Sequence, residues 1–348
     1  MKTKRISLLA AIICSVFMLT FISVLTKTAF SAEGPGKVYN WKMTSFFPSG
    51  MAMNRPIVEF ARTLEQRTNG AIKITLYEGT LGAPGDHWDM LKRNAIQIAY
   101  TGEANNPGRL PVLGLTNLPF EFPDLSLEGI VANEWLKAGY LKELTDDFKV
   151  VGFLPLTLQN MFLSKKKVTT LSDLKGLKIR SASGTQGKVV SALGAAGVSM
   201  PGGETYMALQ TGVIDGTVTG VDYFVDNKFY EICKYALQNP IYGGVFILIM
   251  NKETWDSLPR DLQTIIEQVS RDVSAKSTRM LSDEAQQRWN ILRDKKVETY
   301  SLSREEQARW EKATAAVADS YVQEWAPKGY PMKEALALMR KVVAASKK

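Results

Sequence analysis

Apolar positions along this chain recur with two alternating periods. Residues 39–43 read as a strand, and Ile57, Phe60, Ala61 and Leu64 then fall three and four apart, the stripe of a helix that buries one face. At 72–76 the residues Ile, Lys, Ile, Thr and Leu alternate apolar and polar with period two, which predicts another strand. A helix over 86–93, a strand over 96–100, a proline-rich passage over 107–123 and a helix over 127–138 follow. Strand and helix in alternation predict an α/β fold with mainly parallel central sheets covered by helices.

After the run at 149–154 a second unit begins, with a strand predicted at 177–181, helices at 184–193 and 204–210, and a strand at 213–218. The chain then returns to the first unit through 245–250, six apolar residues in succession, as expected of a central strand buried on both faces. Beyond Leu258-Pro259 a long helix carries Leu262, Ile265, Ile266, Val269 and Val273 on one stripe. Ser303 and Glu306 have the spacing of a capping box, and Ser346-Lys347-Lys348 reads as a solvated tail. No internal repeat interrupts this order.

The length of 348 residues exceeds what one core usually supports, roughly 250 residues, so two domains and a cleft between them are expected. The first 32 residues differ in composition. Lys2, Lys4 and Arg5 precede an apolar run at 6–25, and small residues at 28–32 offer a cleavage site, so 1–32 is expected to be a secretory signal peptide. The same run is long enough to span a bilayer, which leaves a retained anchor as the alternative. Cys14 lacks the preceding small residues of a lipidation site.

Removing that segment takes away four positive charges and no acidic ones, so the net charge falls from +8 to about +4 and the compositional case for nucleic-acid binding goes with it. Cys233 would be the one cysteine left, which excludes an internal disulfide and a cysteine zinc site and suits a small buried apolar residue. His87 is the sole histidine, so triads needing a second histidine and two-histidine metal sites are ruled out. It is expected at a loop or helix start. Phosphate-binding glycine loops, dinucleotide fingerprints and nucleophile elbows do not occur. No catalytic residue, cofactor or metal is expected.

The segment 174–187 is the most informative. A predicted strand ends at Arg180, a helix begins a few residues later, and Ser181, Ser183, Gly184, Thr185 and Gly187 lie between or at the start. The carboxyl end of a strand beside a helix start is where open α/β sheets bind ligands, and free N–H groups there suit an anion. Arg180 adds a planar fork of donors that matches a carboxylate. On spacing alone Arg180 is equally well a surface strand residue. Phe46, Phe47, Trp88, Tyr206, Tyr223 and Phe224 are candidates for the apolar part of a pocket, although core packing accounts for each taken singly.

In this order, Leu81-Gly82, Leu118-Pro119-Phe120, the 173–180 stretch ending Gly-Leu-Lys-Ile-Arg, the run Gly202-Gly203-Glu204 continuing to Asp215-Gly216, and Leu258-Pro259 resemble the solute-binding proteins of tripartite ATP-independent periplasmic (TRAP) transporters. The resemblance covers essentially the whole mature chain. It implies a periplasmic protein, expected to be a monomer, with two α/β lobes joined by hinge strands and a long helix. The first lobe takes 37–153 plus 243–285 and the second 154–242 plus 286–348. It further implies a small organic acid enclosed between the lobes and delivered to membrane permease subunits. In the family the motif arginine pairs with the ligand carboxylate, and Arg180 stands in its place. Glu103 resembles a ligand-facing glutamate of some members.

Members that bind sialic acid carry a second arginine and an asparagine where this chain has Asn160 and Thr219, which argues against that ligand. Gly203 and its neighbours, with Tyr206 following, look like the members that bind 2-oxo monocarboxylates, but their Glu-Trp pair corresponds here to Val218 and Thr219, which weakens the carry-over of a bound metal ion. The expected ligand is a 2-oxo or 2-hydroxy monocarboxylate with an apolar or aromatic tail under Phe47, Tyr223 or Phe224. A sensory protein serving a receptor and a periplasmic carboxylate-using enzyme remain the rival classes.

Overall fold

The structure, a computed structural model, describes residues 37–106 and 108–346. The expected signal peptide at 1–32, with Cys14, and the last two residues of the expected tail lie outside the described residues.

Eleven strands, counted among the described residues, form two sheets. β1 (Tyr39–Ser45), β2 (Ile72–Glu78), β3 (Ile98–Gly102), β4 (Phe148–Pro155) and β10 (Val245–Asn251) make the first, in the order β2-β1-β3-β10-β4. β5 (Gln159–Leu163), β6 (Lys178–Ser181), β7 (Ala196–Ser199), β8 (Gly216–Gly220), β9 (Tyr235–Leu237) and β11 (Glu298–Tyr300) make the second, in the order β11-β9-β5-β8-β6-β7. The β-α-β stretches give the parallel pairs expected, β1 with β2 and β3, and β6 with β7 and β8. Both sheets are mixed, however. β10 runs antiparallel to β3 and β4, and β5 antiparallel to β8 and β9.

That mixture follows from the path of the chain. β4 leaves the first sheet for the second and β10 comes back, so the two crossings run in opposite directions and pair side by side. Gln159 and Tyr242 bridge them, with the Gln159 amide donating to the Tyr242 carbonyl at 2.9 Å. The buried Glu128 carboxylate accepts from the Leu156 and Gly244 amides at 3.3 and 3.0 Å, so one side chain holds both crossings. Burial pushes its pKa well above 4.5. All seven residues of β10 are buried, which is why its sequence shows no alternation.

The Arg260–Asp294 helix buries Ile266, Val269 and Val273 of its predicted stripe against the first sheet's core. The Met332–Ala345 helix packs on Ser126–Lys137, where the Trp135 indole donates to the Ala335 carbonyl at 2.8 Å. Ser303 caps the Arg304–Trp325 helix by accepting from the Glu306 amide, but the Glu306 carboxylate turns away to the Leu171 amide at 2.6 Å. The capping box is thus half formed, because a tertiary partner outcompetes the local one.

Candidate functional site

The carboxyl ends of parallel strands from both sheets converge on one cavity of about 100 Å³. Phe46 and Phe47 follow β1, Gly102 and Glu103 end β3, Arg180 and Ala182 belong to β6 and the residue run after it, and Thr219 and Gly220 end β8. This is the crevice position at which α/β sheets present free backbone groups to a ligand.

Arg180 is 4% exposed. Its Nε and Nη2 donate to the Met200 carbonyl at 3.1 and 2.9 Å, which fixes the guanidinium from behind. It forms no ion pair among the described residues, and its ionisable neighbours are the phenols of Tyr223 and Tyr242. Burial lowers its pKa, yet a guanidinium stays charged over the physiological range. A desolvated cation without a counter-charge is costly, and an anion entering the cavity would relieve that cost.

A polar wall faces it. Glu103 Oε2 accepts from Asn117 Nδ2 at 2.9 Å, Asn117 Oδ1 accepts from Gln186 Nε2 at 2.8 Å, and Gln186 Oε1 accepts from the Ala182 amide at 2.9 Å. Burial pushes the Glu103 pKa up to about 7, partly opposed by the Ser183 hydroxyl. Asp222 accepts from the Thr157 hydroxyl through Oδ1, while Oδ2 is buried without a partner among the described residues. Burial raises its pKa as well, with the Thr157 hydroxyl opposing. Gly220 has to be glycine here, since a Cβ would overlap the Thr157 hydroxyl.

The remaining wall is aromatic. Phe46 and Phe47 have ring centres 4.1 Å apart, Phe246 meets Phe47 edge-on at 5.5 Å, and Tyr223 lies 6.3 Å from Phe47. Such a cluster offers apolar area with ring faces and edges in several orientations.

Of the residues singled out from the sequence, Phe46, Phe47, Glu103, Arg180, Thr219 and Tyr223 come together here. The other five do not line the cavity. Trp88 is buried beside the first sheet, edge-on to Phe148 at 5.4 Å, its indole donating to Asn106. Asn160 turns its amide to the Leu237 and Gln238 carbonyls at 3.1 and 2.9 Å. Gly203 is exposed, and it is Gly202 that borders the cavity, so close to the Tyr223 hydroxyl that a Cβ would overlap it. Tyr206 donates to Glu231 at 2.6 Å on the surface. Phe224 stacks on Phe162 at 3.8 Å in the second sheet's core. Consecutive residues of the Val221–Asp226 helix point about 100° apart, so Tyr223 and Phe224 cannot share a face.

Asn117, Thr157, Gln186, Asp222 and Phe246 also line the cavity. Gln186 lay within the segment 174–187 and Phe246 within the apolar run at 245–250, but no spacing marked either as a site residue. His87 is the second residue of the Asp86–Lys92 helix and is buried. Cys233 is buried, its thiol pushed up to about 12, which keeps it unreactive.

Residues 45–324 match the family described as bacterial extracellular solute-binding protein, family 7. Among similar proteins, the C4-dicarboxylate-binding periplasmic protein DctP of Rhodobacter capsulatus is 28% identical over 271 residues, 75% of this chain and 80% of that one. A monocarboxylate 2-oxoacid-binding periplasmic protein of Nostoc sp. is 27% identical over 280 residues, 76% of this chain and 74% of that one. The crystal structure of a marine metagenome TRAP solute-binding protein specific for aromatic acid ligands, in complex with metahydroxyphenylacetate, superposes with a TM-score of 0.83 at 22% identity, covering 89% of this chain and 100% of that one. Fold, strand-end cavity and family match agree, and the chain belongs to the bacterial extracellular solute-binding proteins of family 7, the solute-binding proteins of TRAP transporters.

Proposed function

We propose that the organic acid captured by this family member is a monocarboxylate, a 2-oxo or 2-hydroxy acid with an apolar or aromatic tail, held by Arg180 and delivered to the membrane subunits of a TRAP transporter from the periplasm. The observation that carries this reading is the buried Arg180 guanidinium, which is held by a carbonyl and lacks a carboxylate partner among the described residues. Phe46, Phe47, Phe246 and Tyr223 supply the apolar cover for the tail, and Thr219 and Glu103 border its polar part. Relatives and structural neighbours named for 2-oxo acids and aromatic acids lend support to both halves of the proposal.

The protein acts here as a carrier without turnover. In this reading two lobes, expected at 37–153 plus 243–285 and 154–242 plus 286–348, close on the ligand as a monomer. Contacts made from both walls at once favour the closed state, because a ligand shifts an equilibrium only by its differential affinity for the two states.

Thermal-shift screening against a panel of small carboxylic acids would find the ligand, since binding to the folded state alone raises the melting temperature. Calorimetry with the hit then tests the clamp: Arg180→Ala should weaken binding by roughly 2–4 kcal/mol, the cost of losing a buried charge-assisted pair. Unchanged affinity in that variant refutes the assignment.

A further inference from the structure

We infer that Glu103 and Asp222 bar a second carboxylate from the cavity, so that the site selects monocarboxylates over dicarboxylates built on the same skeleton. The inference deepens the proposed function and rests on Arg180 receiving the first carboxylate.

Three charged side chains line the cavity among the described residues, one cation and two acids. Arg180 already shares its Nε and Nη2 donors with the Met200 carbonyl and has one open edge to offer. Both acids lack a cation of their own within the cavity. Asn117 and the Ser183 hydroxyl are the side-chain donors to Glu103, and Thr157 is the side-chain donor to Asp222, all of them neutral. Arg288 is the basic group whose field reaches Asp222, but it is engaged by Asp226 at 2.5 Å and by Glu284 at 4.0 Å. Three of the four side-chain amides in the lining are engaged too, Gln186 donating to Asn117, Asn117 to Glu103 and Gln159 to the Thr157 carbonyl, which leaves Asn105 as a neutral group beside the acids.

A second carboxylate would therefore leave water for a wall that holds two buried acids and no free cation. Like charges at close range in a desolvated site are strongly unfavourable, and a repulsive element of this kind is a recognised source of specificity. A neutral group at the same place meets no such barrier. A hydroxyl or an amine on the ligand would find acceptors in Glu103 and, with a small side-chain shift, in the unpartnered Asp222 Oδ2. Asp222 was not marked by any sequence motif, and its burial at 4% exposure beside Gly220 places it in the wall by packing.

Calorimetry at about pH 8, where carboxyl groups are mostly ionised even when moderately raised, tests this with matched probes. One pair is 3-hydroxybenzoate and isophthalate, in which a hydroxyl is exchanged for a carboxylate. The other is 2-oxopentanoate and 2-oxoglutarate, in which a methyl is exchanged for one. The native protein should bind the monocarboxylate of whichever pair fits about tenfold or more tightly than its dicarboxylate counterpart. Glu103→Gln and Asp222→Asn, near-isosteric and tested separately so that a folding defect in one leaves the other informative, should each lower that ratio by about tenfold. A native preference for the dicarboxylate, or a ratio unmoved in both variants, overturns the inference while leaving the Arg180 clamp standing. Failure of all four probes to bind, together with unchanged binding of the screened ligand in Arg180→Ala, overturns the clamp and the inference with it.

Discussion

Gln186 donates from Nε2 to Asn117 Oδ1 at 2.8 Å, joining a residue from the helix after β6 of the second sheet to one from the turn after β3 of the first. The bond is made within the cavity wall and both side chains are buried. Asn117 in turn donates to Glu103, so a single amide connects the two walls and also holds the acid. Replacing it leaves Gln186 Nε2 without its acceptor and leaves Glu103 with the Ser183 hydroxyl alone as a side-chain donor. Asn117→Ala should weaken ligand binding by roughly 1–3 kcal/mol through those two lost bonds. It should also raise the Glu103 pKa further, because the lost bond favours the charged form. Affinity measured by calorimetry across pH checks both effects, and a variant with native affinity at every pH would show that this bond does not support the site.

Arg288 and Asp226 form a half-buried ion pair at 2.5 Å, and the other Asp226 oxygen accepts from the Ala52 amide at 2.9 Å. Ala52 lies in the segment after β1 that carries Phe46 and Phe47, whereas Asp226 ends the helix that carries Tyr223. Arg55, one turn on from Ala52, reaches Glu284 on the Arg260–Asp294 helix with two bonds at 2.6 and 2.7 Å. These residues tie the two walls together without lining the cavity. Asp226→Ala should therefore raise the ligand dissociation rate about tenfold, with the association rate changed less, because it destabilises the closed arrangement without removing a ligand contact. Stopped-flow fluorescence measures both rates. An unchanged dissociation rate would mean that the network serves stability alone.

The alternation of strands and helices was legible because periods of two and 3.6 are properties of local burial; β1, β2 and the long helix fall where those periods place them, β3 lies two residues later than 96–100, and β10 was legible from its unbroken apolar run. β5, β7, β9 and β11 were not read as strands, and of these β7, β9 and β11 have four residues or fewer, too short for a period to register. β8 begins at Gly216 and not at residue 213, since 213 sits in the exposed turn before it. Arg180 was legible from its place at a strand end. Phe224 and Tyr206 were not separable from Tyr223, because an aromatic residue looks the same in sequence whether its helix turns it to a cavity, a core or solvent. Asn117 and Asp222 were invisible for the opposite reason: each is an ordinary polar residue until the chain crossings bring it opposite Arg180.

Two buried groups give stability opposite dependences on pH. His87 is buried with Nε2 bonded to the Leu81 carbonyl at 2.6 Å, and its Nδ1 has no partner among the described residues. Desolvation lowers its pKa below 6.5, so the unfolded chain binds the extra proton first. Its contribution is present above 6.5 and is lost as pH falls through the native value. Glu103 behaves in the reverse sense. Its pKa rises from 4.5 unfolded to about 7 folded, so the native state keeps its proton longer. That contribution is fully present below 4.5 and is lost as pH rises through about 7, an effect on the order of 3 kcal/mol. Glu143, also raised to about 7 by burial, acts in the same direction and keeps some of the alkaline decline in place when Glu103 is changed. Urea unfolding of the ligand-free protein between about pH 4 and pH 8 separates the two residues. Glu103→Gln should flatten the loss of stability toward pH 8, and His87→Gln, whose amide can still donate to the Leu81 carbonyl, should flatten the loss on the acid side. A Glu103→Gln curve running parallel to the native one would show that this carboxyl titrates normally in the folded protein, and its burial would then have to be relieved by contacts other than Asn117.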